Sequence, residues 1–379
     1  MNLLDNKNVA IVYDRVNKWG GAERALLTLH EMFPRAPLYT AVYDPSRASW
    51  AKVFPKIYTT FLQNIPFAKS NHEYIGYLMP LAFETFDFSK YDLVISVTSE
   101  AAKGIITKPA TLHVCYLLTP TRYLWSHYNL YFKNPILKFF SKPVVNYLKD
   151  WDKIASNKPD EIIAISTEVQ RRIKNYYGKI SQIIFPPVNL SKNLEEKIDF
   201  KEGKYHLVVS RLVTYKKVDL VVDTFNKLKL PLVIVGNGLE FNNLKLRAKN
   251  NIKFVRNISD KELCEYYKNA KALIMSQEED FGMTSIEAQS FGVPVIAYNR
   301  GGAKDTVVDG MTGVLFEDQN IKSLTSAIAK CSKISFNHKY LVENAKNFSK
   351  ERFKENLQRS LVRAYTSRGW GNSSLAKIS

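Results

Sequence analysis

The chain has 379 residues, 45% of them hydrophobic and 24% charged, a composition that is typical of globular proteins and excludes an intrinsically disordered one. Two domains are expected at this length, because single hydrophobic cores rarely grow beyond about 250–300 residues. The 54 Lys and Arg outnumber the 36 Asp and Glu, and the net charge of +18 favours an anionic partner: nucleic acid, an anionic membrane surface or a phosphorylated small molecule.

Cysteine spacing and hydropathy indicate the cellular compartment of the protein. Cys115, Cys264 and Cys331 lie far apart without paired spacing, which argues against a disulfide framework or a zinc site and fits a reducing compartment. The start of the chain lacks a signal-peptide pattern, and no stretch approaches the roughly 20 apolar residues of a membrane span. The sequence therefore predicts a cytoplasmic protein.

Short apolar runs alternate with helix-like segments along both halves of the chain, and the runs are predicted to be strands. In chain order they are NVAIVY, YDLVISV and EIIAIS in the first half, and YHLVVS, PLVIVG, AKALIMS and VPVIAYN in the second. Continuous apolar runs of this length are typical of parallel strands buried on both faces of a doubly wound sheet. The pattern predicts an α/β fold with two such sheets.

The joint between the two domains is predicted in Phe185–Tyr205, where paired prolines precede a polar run without periodicity. The predicted first domain covers residues 1–190, the linker residues 191–203 and the second domain residues 204–345. Residues 346–379 are predicted to end the chain with a helix that packs back on the first domain.

Acids, a Phe-Gly pair and small polar residues follow the predicted strand AKALIMS in the stretch EEDFGMTSIE, which begins at Glu278. In open α/β sheets, ligands bind beyond the carboxyl ends of the strands. Thr284 and Ser285 are residue types that start helices, which predicts Glu287 in the first turn of a helix. The free N–H groups of that turn favour an anion, and Glu279 in the preceding loop offers acceptor oxygens to sugar hydroxyls.

Two further features point to phosphate. Arg211 and Lys216 follow the strand YHLVV in SRLVTYKK; Arg binds phosphate through two hydrogen bonds and Lys supplies a point charge. Gly301–Gly302 precede another predicted helix, and Gly20–Gly21 do the same in the first half. Neither pair belongs to a GxGxxG or GxxxxGK motif, so nicotinamide and P-loop sites lack their sequence signature.

Five motifs, taken in their order along the chain, resemble those of the family 4 (group 1) glycosyltransferases. They are GGAER, FPPV, SRLVTYKKVDL, an E-x7-E motif with an internal FG from Glu279 to Glu287, and GVPVIAYNRGGAKDTVVDGMTGVLF. The resemblance implies the GT-B fold, in which two Rossmann-like domains with parallel sheets face each other across a cleft. The first domain would bind the acceptor and the second the nucleotide-sugar donor. The segment TPTRYLW, Thr119–Trp125, looks most like the mannosyltransferases of surface-polysaccharide biosynthesis.

The resemblance also implies roles for individual residues. Glu279, Arg211 and Lys216 would be catalytic, the glutamate touching the transferred sugar and the two cations neutralising the diphosphate leaving group. The residues implied in donor binding are Gly20, Gly21, Arg256, Asn257, Phe281, Gly282, Met283, Thr284 and Glu287. Among these, Glu287 would accept from the ribose hydroxyls, and the loop Arg256–Asp260 would lie beside the nucleobase.

The residues implied near the acceptor or the transferred sugar are Leu118, Thr119, Arg122 and Tyr123. Related sequences often have a histidine at the position of Leu118, where it lies near the transferred sugar. His113 lies five residues earlier, so its side chain is expected to point elsewhere and not to replace that histidine. The departure favours, as an alternative, a non-catalytic sugar-nucleotide-binding subunit.

The activity that the resemblance implies is a retaining, metal-independent transfer of a hexose onto a lipid-linked or growing glycan. Mannose from GDP-mannose is the first choice, and no cofactor is expected besides the nucleotide sugar as co-substrate. Retention in this family is attributed to front-face attack, with the departing phosphate assisting deprotonation. A UDP-sugar donor and an epimerase of the same fold are alternatives. A nucleic-acid-binding α/β protein would explain the charge, but no recognised motif accompanies it, so nucleic acid is not expected as a partner.

Aromatic residues and lysines are interspersed in Arg122–Lys158. The pattern predicts a peripheral membrane surface, with rings at the headgroup level and lysines attracted to anionic lipids. Core packing beneath a solvated face is the alternative. The expected location is therefore the inner face of the plasma membrane, with the protein bound peripherally to an anionic surface.

Overall fold

The computed structural model describes residues 6–69, 76–126, 128, 134–190 and 203–369. The chain divides into two compact units, one comprising Met1–Pro187 and Phe353–Ser379 and the other Val188–Arg352. Apart from Gly203, the predicted linker at 191–203 lies outside the described residues. The exact domain bounds stay a prediction.

The first unit contains a parallel sheet in the order β3-β2-β1-β4-β5-β6-β7. Its strands are β1 (Val9–Tyr13), β2 (Leu38–Thr40), β3 (Ile57–Thr59), β4 (Leu93–Thr98), β5 (Leu112–Leu117), β6 (Glu161–Ala164) and β7 (Gln182–Ile183). The helices before the second unit are α1 (Ala22–Met32), α2 (Met79–Glu84), α3 (Pro135–Ala155) and α4 (Thr167–Tyr177), with 3-10 turns at Ser49–Val53, Phe61–Asn64 and Ala102–Gly104.

The second unit contains a parallel sheet in the order β10-β9-β8-β11-β12-β13. Its strands are β8 (Tyr205–Val209), β9 (Leu232–Val235), β10 (Ile252–Val255), β11 (Ala270–Met275), β12 (Val295–Tyr298) and β13 (Gly313–Phe316). Its helices are α5 (Val218–Leu228), α6 (Phe241–Arg247), α7 (Asp260–Lys268), α8 (Met283–Ser290), α9 (Ala303–Thr306), α10 (Ile321–Cys331) and α11 (His338–Lys346), with a 3-10 turn at Thr214–Lys216.

Both faces of the second sheet are covered, as the continuous apolar runs predict. Neighbouring residues on one strand belong to different core clusters, because successive side chains of a strand point to opposite faces. Leu207 and Val208 on β8 are divided in this way, and so are Val233 and Ile234 on β9. The strands are therefore buried on both sides, and only their ends and the loops beyond them are left for ligands.

Helix α12 (Lys350–Ser367) is the last helix of the described residues, and from Phe353 onward it belongs to the first unit. The ring of Phe353 packs edge-on against Tyr116 of β5, with 5.5 Å between the ring centroids. Lys354 Nζ forms an ion pair with Glu31 at 2.7 Å. Within the part of the chain that the structure describes, no helix is long and apolar enough to span a bilayer.

Each sheet has one point at which the strand order reverses. In the first unit β1 lies between β2 and β4, and in the second unit β8 lies between β9 and β11. Loops that leave two such central strands run in opposite directions and open a crevice at the carboxyl edge, where α/β proteins bind ligands. The crevice of the second unit therefore lies beyond the ends of β8 and β11.

Candidate functional site

Two loops meet at the crevice of the second unit. One follows β8 and contains Lys216 and Lys217, and the other follows β11 and begins with Ser276. The hydroxyl of Ser276 lies 2.9 Å from the carbonyl oxygen of Lys217 and 3.2 Å from that of Lys216. Gln319 donates from Nε2 to the carbonyl oxygen of Ser276 at 2.7 Å. These buried bonds fix the two loops relative to each other.

The centre of this arrangement is an ion pair between Lys216 and Glu279. Their side chains are only 10% and 19% exposed, and Lys216 Nζ contacts Glu279 Oε1 directly. Gln277 donates from Nε2 to the same oxygen at 2.7 Å. Arg211 instead donates to the hydroxyl of Tyr215 at 2.7 Å, on the exposed side of the loop. The structure thus brings together two of the three predicted catalytic residues and places the third in the same loop as Lys216.

Helix α8 begins directly behind Glu279. Gly282 is its N-cap in the left-handed conformation (φ +93°), and no side chain caps the helix. The N–H groups at Met283 and Thr284, the first two helical residues, carry the positive end of the helix dipole. Glu287 is the fifth residue, so the prediction that it lies in the first turn is wrong: Gly282 starts the helix before Thr284 and Ser285. The carboxylate of Glu287 accepts from the hydroxyl of Tyr267 at 2.8 Å.

The pair Gly301–Gly302 supports this loop by close packing. The N–H of Gly302 donates to the carbonyl oxygen of Glu279 at 2.8 Å. A Cβ on Gly301 would lie 2.1 Å from that oxygen, and a Cβ on Gly302 would lie 2.3 Å from the Cα of Phe281. The ring of Phe281 packs on Phe348 with 5.6 Å between centroids and is 4% exposed. The two glycines therefore allow the backbone segments to pack closely. This packing explains the glycine motif without a role in phosphate binding.

The loop after β10 carries the residues predicted beside the nucleobase. The guanidinium carbon of Arg256 lies over the ring of Phe241, 3.9 Å from the ring centroid. Asn257 adopts the left-handed conformation (φ +54°) and accepts a hydrogen bond from Asn237 at 2.9 Å. Both side chains are exposed at the same edge of the sheet as the Lys216 loop, because β8, β9 and β10 are parallel neighbours.

At the corresponding edge of the first unit, Asp14 organises the loop that follows β4. Its carboxylate accepts from Thr98 Oγ1 at 2.7 Å and from the N–H groups of Ser99, Ala101 and Ala102 at 2.7 to 3.0 Å. Asp14 is 3% exposed. This acid caps the 3-10 turn and fixes the switch point of the first sheet.

The predicted glycines Gly20 and Gly21 lie in the loop before α1. Gly21 is the N-cap of the helix, and no side chain caps it. Glu23 in the first turn is 1% exposed and accepts from the hydroxyl of Tyr13 at 3.0 Å. Burial raises the pKa of Glu23 above its usual value. The N-terminus of α1 therefore contains a buried acid, which the glycine motif alone did not predict.

The position of Leu118 lies just beyond β5, with its N–H bonded to the carbonyl oxygen of Thr98 at 2.8 Å. His113 on the same strand is fully buried and pairs with the hydroxyl of Ser96 at 2.8 Å. Burial lowers the pKa of His113 to about 3, so the ring stays neutral in the core. As predicted, this histidine does not replace the one that related sequences carry at position 118.

The other predicted sugar-proximal residues follow in the loop after Leu118. Thr119 is 3% exposed and accepts from the guanidinium of Arg172 at 3.3 Å, and Arg172 in turn pairs with Glu168 at 2.8 Å. Arg122 and Tyr123 are half-buried. Burial raises the pKa of the Tyr123 phenol well above its ordinary value, so it is a neutral hydrogen-bonding group. The loop is thus fixed at its start by buried polar contacts.

Sequence reasoning missed three buried polar residues that fix these loops: Asp14, Ser276 and Gln277. Each comes within two residues after a central strand. A polar side chain directly after a buried strand is a signal that could have found them, because that position faces the crevice.

Comparison with known proteins identifies the second unit. Residues 191–348 match the family model of the glycosyl transferases group 1. The match covers less than half of the chain, and it shows that the second unit is similar to the group 1 glycosyltransferases. The match supports the group 1 part of the resemblance, and the Lys216–Glu279 pair lies within the matched residues.

Curated relatives agree with the domain assignment. An uncharacterized glycosyltransferase of Methanocaldococcus jannaschii is 28% identical over 206 residues, which are 52% of this chain and 57% of that protein. The capsular polysaccharide biosynthesis glycosyltransferase CapM of Staphylococcus aureus is 30% identical over 207 residues, 47% of this chain and 54% of that protein. The chain thus spans little more than half the length of these relatives.

Solved structures extend the likeness beyond the residues that match the family model. Sucrose-phosphate synthase from Thermosynechococcus elongatus has a TM-score of 0.72 at 17% identity, covering 95% of this chain and 100% of that one. Anabaena HepE in complex with UDP and glucose has a TM-score of 0.65 at 17% identity, with 94% and 100% covered. At this identity the likeness shows the fold alone. It confirms a GT-B fold with two parallel-sheet α/β domains.

Proposed function

We propose that this protein is a retaining glycosyltransferase that moves a hexose from a nucleotide sugar to a lipid-linked or growing glycan. The single observation that carries the proposal is the largely buried Lys216–Glu279 pair at the switch point of the second sheet, beside the uncapped start of α8. This edge offers a cation, a carboxylate and helix N–H groups, which are the groups that a sugar diphosphate needs.

The chemistry follows from the charge that the reaction creates. When the bond between the sugar C1 and the phosphate oxygen breaks, negative charge develops on the diphosphate. Lys216, Arg211 and the first N–H groups of α8 stabilise that charge more than the charge of the intact donor, which lowers the barrier. The acceptor oxygen forms the new bond to C1 on the same face, and its proton passes to the departing phosphate oxygen.

Glu279 has a different role in this proposal. Its carboxylate, held by Lys216 and Gln277, accepts hydrogen bonds from hydroxyls of the transferred sugar. Glu287 is already held by Tyr267, and its carboxylate would accept from the ribose hydroxyls. No bound metal is needed in this scheme, so EDTA should leave turnover unchanged.

The proposed donor is GDP-mannose, on the resemblance of Thr119–Trp125 to mannosyltransferases. A UDP-sugar is the second candidate, and a specific observation favours it: HepE, which shares the fold, was solved with UDP and glucose. The exposed guanidinium of Arg256 stacked on Phe241 offers hydrogen-bond donors to either base.

A panel of GDP- and UDP-sugars, with crude lipid extract as acceptor and mass spectrometry as readout, tests the proposal. Glu279→Gln keeps the shape of the side chain and removes its charge, and it should abolish transfer. Glu278→Gln is the matched control, because Glu278 is the neighbouring acid and is exposed. Donor binding without turnover would favour a non-catalytic subunit, and salt-sensitive DNA binding without donor binding would favour a nucleic-acid-binding protein.

The acceptor is proposed to be presented at a membrane by helix α3. Its outer face exposes Ile136, Phe139, Phe140, Tyr147 and Ile154, each by 60% or more. Lysines at positions 138, 142, 149 and 153 lie on the same helix. Exposed rings on a basic helix suit the headgroup region of an anionic bilayer, where each lysine adds about 1 kcal/mol.

Vesicle binding tests the membrane part of the proposal. The protein should sediment with anionic vesicles at low salt and be released at high salt, and a Phe139→Ser, Phe140→Ser variant should bind at least about tenfold more weakly. Leu239→Ser with Leu246→Ser is the matched control, since these leucines of the second unit are 91% and 87% exposed. Equal recovery with neutral vesicles would contradict the proposal.

A further inference from the structure

Helix α3 also carries a buried carboxylate that makes contacts on its inner side. Asp152 is 1% exposed, and among the described residues four side chains donate to it. Lys103 Nζ and Thr121 Oγ1 bind Oδ1 at 2.5 and 3.0 Å. Trp125 Nε1 and the hydroxyl of Tyr177 bind Oδ2 at 2.7 and 2.6 Å.

The four donors come from three different elements of the first unit. Lys103 lies in the 3-10 turn after β4, and Tyr177 is the last residue of α4. Thr121 and Trp125 lie in the loop after β5 that contains the residues proposed to be near the acceptor. One carboxylate on α3 therefore binds this loop at two places, four residues apart.

A buried ion pair of this kind is weak evidence for stability alone. The cost of removing both charges from water is as large as their attraction, and apolar residues of similar volume often stabilise a fold equally well. What the pair and its three further hydrogen bonds provide is a fixed geometry, because each donor has one direction in which it can reach the carboxylate. The contacts thus specify where the loop lies relative to the helix.

The same helix presents its opposite side to solvent. Val145 and Leu148 are buried against Leu124 of the loop, whereas Phe140 and Tyr147 are 72% and 60% exposed. Pro143 interrupts this 21-residue helix, but Tyr147 and Ile154 follow it, as Asp152 does. A force on these exposed side chains is therefore transmitted within one continuous helical segment to the groups bound on its inner face.

We propose that Asp152 is a positioning residue that couples the docking of α3 on a lipid surface to the position of the loop Thr119–Trp125. Bound lipid restrains the helix, Asp152 transmits the restraint through Thr121 and Trp125, and the loop is held in the arrangement that binds the acceptor. The inference rests on the proposed function, in which α3 contacts the membrane and this loop contacts the acceptor or the transferred sugar.

Two conservative substitutions separate coupling from stability. Trp125→Phe and Tyr177→Phe each remove one hydrogen bond to the same oxygen of Asp152 and keep an aromatic ring. Trp125 belongs to the loop and Tyr177 to α4, so only the first change removes a hydrogen bond between the helix and the loop, where Thr121 still donates to the other oxygen. The measurements are the KM values for acceptor and donor with and without anionic vesicles, vesicle binding, and hydrogen–deuterium exchange of residues 119–125.

In the wild type, anionic vesicles should lower the acceptor KM and slow hydrogen exchange in the loop. Trp125→Phe should raise the acceptor KM about tenfold in the presence of vesicles and lose the slowing of exchange, with donor KM and vesicle binding unchanged. Tyr177→Phe should behave as the wild type. Asp152→Asn, which keeps the shape and removes the charge, should resemble Trp125→Phe if it folds.

Equal effects of Trp125→Phe and Tyr177→Phe would overturn the inference, because a purely structural role would not distinguish them. Vesicle-slowed exchange that persists in Trp125→Phe would overturn it as well. A wild type that turns over no donor sinks the proposed function instead, and the exchange experiment still decides the coupling because it does not depend on activity.

Discussion

Replacing Lys216 by methionine removes the cation at the centre of the candidate site and keeps most of the aliphatic stem. The ammonium group contacts Glu279 in a place where the two side chains are 10% and 19% exposed. Because so little water reaches the pair, the charge of Lys216 acts on its surroundings through a medium of low effective dielectric. The change therefore tests whether that charge is used on a leaving diphosphate.

The expected loss of kcat and the expected loss of folding stability can be measured separately. Loss of one preorganised charge that stabilises a developing anion costs about 100- to 1,000-fold in kcat. The cost in folding stability is smaller, about 1–3 kcal/mol, because Gln277 still donates to Glu279 at 2.7 Å and the carboxylate keeps some contact with water. Lys216→Met should therefore be folded and almost inactive.

The assay is steady-state transfer from the best donor of the panel, together with urea unfolding of each variant. Lys330→Met is the matched control: Lys330 pairs with Asp309 in the same unit, but the two side chains are 52% and 45% exposed. A screened pair of this kind contributes little. The leaving-group role would be refuted if Lys216→Met kept kcat within about threefold of the wild type, or if Lys330→Met lost as much.

Two further predictions concern the frame of the site and its response to acid. Gly301→Ala should lower the free energy of unfolding and the transfer rate more than Gly310→Ala does. Both glycines have a left-handed φ, +64° and +77°, which costs a residue with a side chain about 1–2 kcal/mol. Only at Gly301 would the new Cβ also collide with a backbone oxygen, that of Glu279. Urea unfolding of the two variants and their kcat values check this, and equal losses would contradict it. Acid should weaken the fold through His113, whose pKa burial lowers to about 3 from an ordinary value near 6.5. The unfolded chain binds the proton first, so the free energy of unfolding falls as the pH drops below about 6.5, by about 1.4 kcal/mol between pH 7.5 and 5.5. Urea midpoints at the two pH values measure the loss, and His113→Asn should show a smaller pH difference than the wild type.

The sequence was sufficient to predict the two sheets, because parallel strands covered on both faces leave continuous apolar runs. The resemblance to known glycosyltransferases placed Lys216 and Glu279 at one site, and the structure shows them in contact although they are 63 residues apart. The reason is topological: both follow strands that are adjacent at the switch point, and the carboxyl ends of parallel strands meet at one edge. The rule that ligands bind beyond strand ends agrees with this placement, but it does not say which two strands are neighbours.

Other features of the site could not be predicted correctly from the residue types alone. Thr284 and Ser285 are good helix starters, yet Gly282 begins α8 because its left-handed conformation lets the chain turn there, and Glu287 moves to the second turn as a result. Gly301 and Gly302 resembled a phosphate loop, whereas their lack of side chains serves contact with Glu279 and Phe281.

Asp152 is the clearest example of a residue whose role could not be predicted from the sequence. In the sequence it is one acid among lysines and aromatic residues on a helix, a setting in which a solvated side chain is the ordinary expectation. Its donors Lys103 and Trp125 lie 49 and 27 residues away, in a turn and a loop that no periodicity connects to the helix. A buried acid of this kind becomes visible only when the three elements are placed together. The same helix carries the exposed aromatic rings. In the proposed coupling, Asp152 is therefore the residue that connects the lipid-facing surface of α3 with the loop Thr119–Trp125.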